Sequence, residues 1–174
     1  VLLNSIFITF FNIRPSRALF VTVVASVLFL QFLRTMLRKE MESYVAKSCS
    51  SDLKDIQKYY MDHENRRMWI ALLNGKVVGT VAVEQTEKKE THVELRRMSV
   101  SSSVRRMGIA NKLLGQLEKW VKEKGSFEVI ELGTSSLQSP AIELYKKNGF
   151  KVVGIESFFI LIPIYGLFMS KSIK

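Results

Sequence analysis

Apolar and polar positions divide the chain into two unlike stretches. Ala18 to Leu33 is an uncharged run of 16 residues rich in Val, Leu and Phe. A second uncharged run, Val1 to Ile13, precedes it, and Arg14-Pro15-Ser16-Arg17 lies between the two. As a helix rising about 1.5 Å per residue, the longer run spans roughly 24 Å. That is slightly short of a hydrocarbon core of about 30 Å, but arginines snorkelling at both ends let it cross a thin bilayer. Pro15 fits either a hairpin that enters and leaves on one side or the turn between two spans. A signal peptide is disfavoured because no small-residue cleavage pattern follows and the first apolar run precedes the basic residues. A soluble core helix with no polar face is uncommon in a domain of this size. The start at Val1, inside an apolar run and without methionine, predicts further sequence upstream.

Past residue 39 the periodicity changes. Leu53, Ile56, Tyr59 and Tyr60 have helical spacing and predict a short amphipathic helix over Ser51 to Tyr60, capped by Ser51 or Asp52. Met68 to Leu73 and Lys76 to Val83 are strand-like runs joined by Asn74-Gly75, a hairpin signal because both turn residues must accept positive φ. Residues 85 to 91 read as an exposed loop and His92 to Val100 as a third strand. Ile109, Leu113, Leu114, Leu117, Trp120 and Val121 form one helical face, stopped by Gly125. Phe127 to Leu132 is the next strand. Ser139-Pro140 opens a short helix, with Ser139 as cap, that closes at Asn148-Gly149. Phe150 to Ile155 and Phe158 to Met169 are the last two strands, the final apolar run being too short to span a membrane. This order predicts an α/β (α+β) domain, a mixed central sheet flanked by helices, over residues 39–174, behind an apolar membrane-associated segment at 1–38.

Composition narrows the chemistry. The 9 glycines and 3 prolines are too few for a low-complexity or collagen-like chain, and the single cysteine, Cys49, cannot form a disulfide within it. A net charge of +10 asks for an anionic partner: nucleic acid, a membrane surface or a polyanionic cofactor. Nucleic acid is disfavoured, since 16 acidic residues are interspersed with the basic ones and no reading motif is present. His63 and His92 lack spaced partners, so no metal site is expected.

Val100 to Ala110 runs from a strand through Ser101 to Ser103 into Arg105-Arg106-Met107-Gly108-Ile109-Ala110 at a helix start. A phosphate fits there: the first helical turn has unpaired N–H groups and the positive end of the macrodipole, and Gly108 permits close approach to the main chain. Arg105, Arg106 and Lys112 add charge attraction. The pattern is neither G-x-G-x-x-G nor G-x-x-x-x-G-K-[ST].

These residues, followed by Ala141-Ile142-Glu143-Leu144-Tyr145-Lys146-Lys147-Asn148-Gly149-Phe150, resemble the two motifs of the GCN5-related N-acetyltransferase superfamily. Gly75-Lys76-Val77-Val78-Gly79, Met98-Ser99-Val100 and the apolar N-terminal segment are similar to its camello-like branch, the N-acetyltransferase 8 family, over most of residues 39–158. The resemblance implies the acyl-CoA N-acyltransferase fold, acetyl-CoA as donor with no metal, and direct attack by an amine. The amine would belong to a cysteine S-conjugate, an amino acid such as aspartate, or a protein lysine. It also implies anchoring among the lipids of the endoplasmic reticulum membrane. By the same resemblance, backbone groups of Met98, Ser99 and Val100 hold the pantetheine, and Arg105, Arg106, Met107, Gly108, Ile109 and Ala110 hold the pyrophosphate. Tyr145 protonates the departing thiolate and Glu94 acts as general base. Gln138 stands where many members have asparagine at the pantetheine. A packing tyrosine and a surface glutamate paired with a basic neighbour are the alternative readings of those two side chains. A catalytically inactive membrane scaffold is the alternative for the whole chain.

Overall fold

The computed structural model describes residues 15–87, 89–157 and 164–173, so the expected run Val1 to Ile13, Arg14 and the first part of the expected strand at Phe158 lie outside the described residues. The chain divides into two compact units, Val1–Lys54 and Asp55–Lys174.

Among the described residues the first unit contains one helix, α1 (Pro15–Ser50, 36 residues), begun by a proline whose fixed φ suits a first helical turn. It is about 54 Å long at the usual rise, so the uncharged run is only its first half. Leu19, Phe20, Val23, Val27, Leu28, Leu30 and Phe32 are all exposed, which means the helix has no single buried stripe. Among the described residues it is the one helix long and apolar enough to cross a membrane, by length and composition. Within it, Thr22, Ser26 and Thr35 each donate their hydroxyl to the carbonyl four residues back. Hydrocarbon imposes such internal bonding on a polar group.

The helix expected over Ser51 to Tyr60 does not form. The chain turns at 51–54 and makes a single π turn, Gln57–Met61. Short helices are marginal on local pattern alone. Here two tertiary anchors override it: Tyr60 is fully buried, and the Tyr59 hydroxyl donates to Glu84 Oε2 at 3.0 Å.

Six strands follow: β1 (Arg66–Leu73), β2 (Lys76–Gln85), β3 (His92–Val100), β4 (Val129–Ser135), β5 (Lys151–Ser157) and β6 (Tyr165–Ser172), with helix α2 (Ile109–Lys124) between β3 and β4 and α3 (Ser139–Lys147) between β4 and β5. The sheet order is β1-β2-β3-β4-β6-β5. Every neighbouring pair is antiparallel except β3 and β4, whose parallel pairing requires the α2 crossover. The β1–β2 turn has Asn74 at φ 50° and Gly75 at φ 75°, as the Asn-Gly signal requires. Gly125, at φ 67°, ends α2. The other expected strands and helices shift by a few residues at most, except the last strand, expected from Phe158 and observed from Tyr165; Gln138, not Ser139, precedes α3.

The core lies between the sheet and α2. Val81 and Val83, Val93 and Leu95, and Ile130 and Leu132 point from three central strands onto Leu113, Leu114, Leu117 and Val121. Trp120 bridges Trp69 on β1 (6.0 Å, edge-on) and Phe127 (5.9 Å, stacked), fixing the helix over the sheet. Packing α2 this tightly fixes the position of its N-terminus.

Candidate functional site

Two breaks in regularity create the site. The first is in pairing: β3 and β4 share only the rungs His92–Val129, Val93–Ile130 and Glu94–Glu131, after which β4 pairs with β6 alone. Past Glu94, β3 therefore makes no further ladder rungs with β4. The second is a bulge. Between the pairs Ala82–Arg96 and Thr80–Ser99, β2 has one residue, Val81, and β3 has two, Arg97 and Met98. Arg97 takes a left-handed φ of 53° there.

The bulge resets which residues face which way. Before it, Val93 and Leu95 pack on the α2 side; after it, Met98 and Val100 do. His92, Glu94, Arg96 and, past the bulge, Ser99 take the opposite face. The spacing of the apolar residues along β3, two, then three, then two, is the sequence trace of this insertion.

At the end of β3, Ser101 N–H donates to the Val78 carbonyl at 2.9 Å, so strand alternation turns the Val100 amide to the open side. A 3-10 turn (Ser102–Val104) and Arg105 then lead to Gly108 at φ 77°, where α2 begins. The first backbone bond of the helix is Lys112 N–H to the Gly108 carbonyl (3.1 Å), which leaves the amides of Ile109, Ala110 and Asn111 without intrahelical acceptors. A Cβ added at Gly108 would meet nothing within 4 Å, so its main chain faces open space.

These elements wall one groove of about 990 Å³. Met98, Ser99, Val100, Arg105, Arg106, Gly108, Ile109, Ala110 and Gln138 all line it, so nine residues predicted from sequence are brought together. Met107 and Lys112 instead line a separate apolar cleft of about 350 Å³ between β1 and α2, so Lys112, in the first turn of α2, acts on an anion in the groove only at longer range. Sequence reading passed over Asn111 and Asn148: Asn148 Nδ2 donates to Asn111 Oδ1 (2.9 Å) and to the Leu144 carbonyl (2.8 Å), tying α2 to α3 within the groove. Read along the chain, Asn148 signals only a helix end. Thr134 donates to Gln138 Oε1 at 3.1 Å.

Tyr145 and Glu94 lie outside the groove lining. Tyr145 is buried in the core, its ring edge-on to Phe150 at 5.6 Å, and burial pushes its hydroxyl up to about 12. Glu94 is the middle of a row of carboxylates, directly across from Glu84 on β2 and Glu131 on β4. Its pKa is raised, first by burial and then by those two neighbours, against an opposing pull from Arg96. Arg96 is ion-paired with Glu84, and His92 Nδ1 lies 2.6 Å from Glu131 Oε1.

Gly79 couples helix to sheet. An added Cβ would come within 3.1 Å of Leu113 Cδ1, 3.2 Å of the Ser99 carbonyl and 3.3 Å of Ile109 Cγ2. Gly79→Ala is accordingly expected to lift the first turn of α2, lowering stability by about 1 kcal/mol and weakening anion binding in the groove severalfold. Thermal unfolding and titration calorimetry measure the two effects separately.

The arrangement suits a long ligand with an anionic end on the amides and arginines at α2 and a polar stem along Met98 to Val100 of β3. Comparison with known proteins points the same way. Residues 30–150 match the family described as Acetyltransferase (GNAT) family. An N-acetylaspartate synthetase of Xenopus tropicalis is 40% identical over 118 residues, 68% of this chain and 43% of that relative. N-acetyltransferase 8 of Mus musculus is 35% identical over 142 residues, 80% of this chain and 62% of that relative. The chain spans about half the length of the curated relatives it matches. A Bacillus anthracis protein crystallised with acetyl coenzyme A shares the fold, with a TM-score of 0.61 at 21% identity over 69% of each chain.

Proposed function

The chain belongs to the acetyltransferase (GNAT) family, and on that premise we propose that it is a membrane-anchored N-acetyltransferase moving the acetyl group of acetyl-CoA to an amino group. The observation that carries this reading is the groove joining the part of β3 beyond its last rung with β4 to the N-terminus of α2. Acetyl-CoA, when bound, supplies the acetyl group as a thioester. Arg105 and Arg106 attract its phosphates, and the amides of Ile109, Ala110 and Asn111 hold them, with Gly108 keeping the approach clear. The exposed backbone of Met98 to Val100 holds the pantetheine and polarises the acetyl carbonyl. Met107 belongs to the same loop without lining the groove, and Gln138 closes the groove at the start of α3.

Glu94 takes a proton from the acceptor ammonium, and its raised pKa makes it a better base than an ordinary glutamate. Tyr145, held up to about 12, stays protonated throughout the neutral range, and to act as the acid for the departing thiolate its buried hydroxyl must open to the groove. Tyr145→Phe is expected to lower kcat about tenfold or more with the affinity for coenzyme A unchanged, as measured by steady-state kinetics beside calorimetry.

The acceptor is the amine of a cysteine S-conjugate, an amino acid or a protein lysine, and the length and composition of α1 support a membrane anchor, for which the resemblance to the camello-like branch implies the endoplasmic reticulum. Thermal stabilisation by acetyl-CoA, together with acceptor-dependent thiol release over these three amine classes, tests the activity. No binding at millimolar acetyl-CoA overturns it, and binding without turnover on any amine returns the chain to a scaffold role.

A further inference from the structure

Thr80 lies on β2 beside the bulge, on the same face as Ala82 and Glu84. Its hydroxyl donates to the carbonyl of Arg97 at 2.8 Å. Arg97 is the residue held at φ 53°, a conformation that an L side chain disfavours and an adjoining contact must retain. The register across Thr80 is also where the parity of β3 changes, from the pair Ala82–Arg96 to the pair Thr80–Ser99. If Arg97 relaxed to an extended conformation and the extra residue moved along the strand, the amides of Met98 to Val100 would exchange edges, those aimed at β2 turning to the groove side and the reverse. The side chains of Met98 and Val100 would leave the α2 core with them.

We propose that Thr80 is a positioning residue for acetyl transfer: its hydroxyl locks the Arg97 carbonyl, and through the bulge it fixes which backbone amides of β3 meet the acetyl carbonyl. The inference rests on the N-acetyltransferase reading. Thr80 touches no reacting atom in this account. It acts at the main chain of Arg97, one peptide away from the strand edge that lines the groove. A side chain of valine shape fills the same space without the donor, whereas serine keeps the donor.

The test compares Thr80→Val, Thr80→Ser and wild type in the full chain. Thr80→Val is expected to lower kcat about tenfold to a hundredfold while the dissociation constant for coenzyme A stays within about twofold, and Thr80→Ser is expected to recover most of the turnover. Hydrogen–deuterium exchange on the same proteins without ligand provides a readout that does not depend on turnover. Peptides covering residues 95–101 should exchange about tenfold faster in Thr80→Val, with those in α2 unchanged. Turnover equal to wild type, parallel loss of kcat, coenzyme A affinity and α2 protection, or unchanged exchange over 95–101 would each overturn the proposal. A wild-type chain inactive on every amine sinks the N-acetyltransferase reading, and the exchange comparison then still decides whether Thr80 locks the bulge.

Discussion

Gly108→Val is expected to weaken acetyl-CoA binding by at least about 100-fold, roughly 2.8 kcal/mol, with the fold intact. Two effects combine at this position. Gly108 has φ 77°, which a β-branched residue adopts only with strain of about 1–2 kcal/mol. A relaxed backbone would re-aim the amides of Ile109, Ala110 and Asn111 that the helix leaves open. The new side chain would also enter space that is clear to 4 Å and that the ligand main-chain contact requires. Because that space is empty of protein atoms, overpacking adds nothing to the stability loss, and circular dichroism should report native helix content. Calorimetry with coenzyme A measures the affinity. Wild-type affinity in Gly108→Val would mean that the phosphates do not sit at the start of α2.

The second large effect is expected from Glu94→Gln, with acetyl transfer slowed about 10²- to 10⁴-fold at neutral pH and binding of coenzyme A retained. The pH dependence makes the test specific. Burial and the facing carboxylates of Glu84 and Glu131 raise the Glu94 pKa above 4.5. A raised pKa means that the base is protonated, and turnover lost, at a higher pH than for an ordinary glutamate as the solution is acidified. In the wild type, kcat/KM should therefore fall on an acid limb lying above the normal glutamate range. The limb should vanish in Glu94→Gln and move to lower pH in Glu131→Gln, which removes one repelling carboxylate. A limb that ignores both substitutions would assign the proton transfer to another group.

Much of this organisation was legible in local pattern. Asn74-Gly75, the apolar face from Ile109 to Val121 with Gly125 after it, and Ser139-Pro140 are short-range signals, and the corresponding hairpin and helices formed within a few residues of their expected ends. That Gly108 and the two arginines would share one groove at the start of α2 was equally legible, since they precede a helical face and are contiguous in sequence. What escaped depends on register between distant segments. The row Glu84, Glu94, Glu131 exists only once β2, β3 and β4 are aligned, and a parallel crossover sets that alignment through packing that no local motif encodes. That Lys112 lines the cleft between β1 and α2 was equally hidden, since adjacency in sequence to Gly108 does not say which side of the helix a side chain takes. Leu53, Ile56 and Tyr59 had helical spacing, but ten residues cannot hold a helix against two tyrosines anchored elsewhere. The bulge left a trace in the spacing of Val93, Leu95, Met98 and Val100, which alternation alone does not decode.

The three rungs between β3 and β4 have a mechanical meaning as well. A six-stranded sheet held at its centre by so few bonds behaves as two blades joined along a short seam: β1, β2 and β3 on one side, β4, β6 and β5 on the other. A ligand wedged into the open part of that seam would replace the missing rungs with its own contacts. Its binding energy would then be spent on joining the blades, and ligand at 100 times its dissociation constant adds about 2.7 kcal/mol to the folded state. Unfolding of the free protein should accordingly begin at this seam, and ligand should make the two halves melt as one.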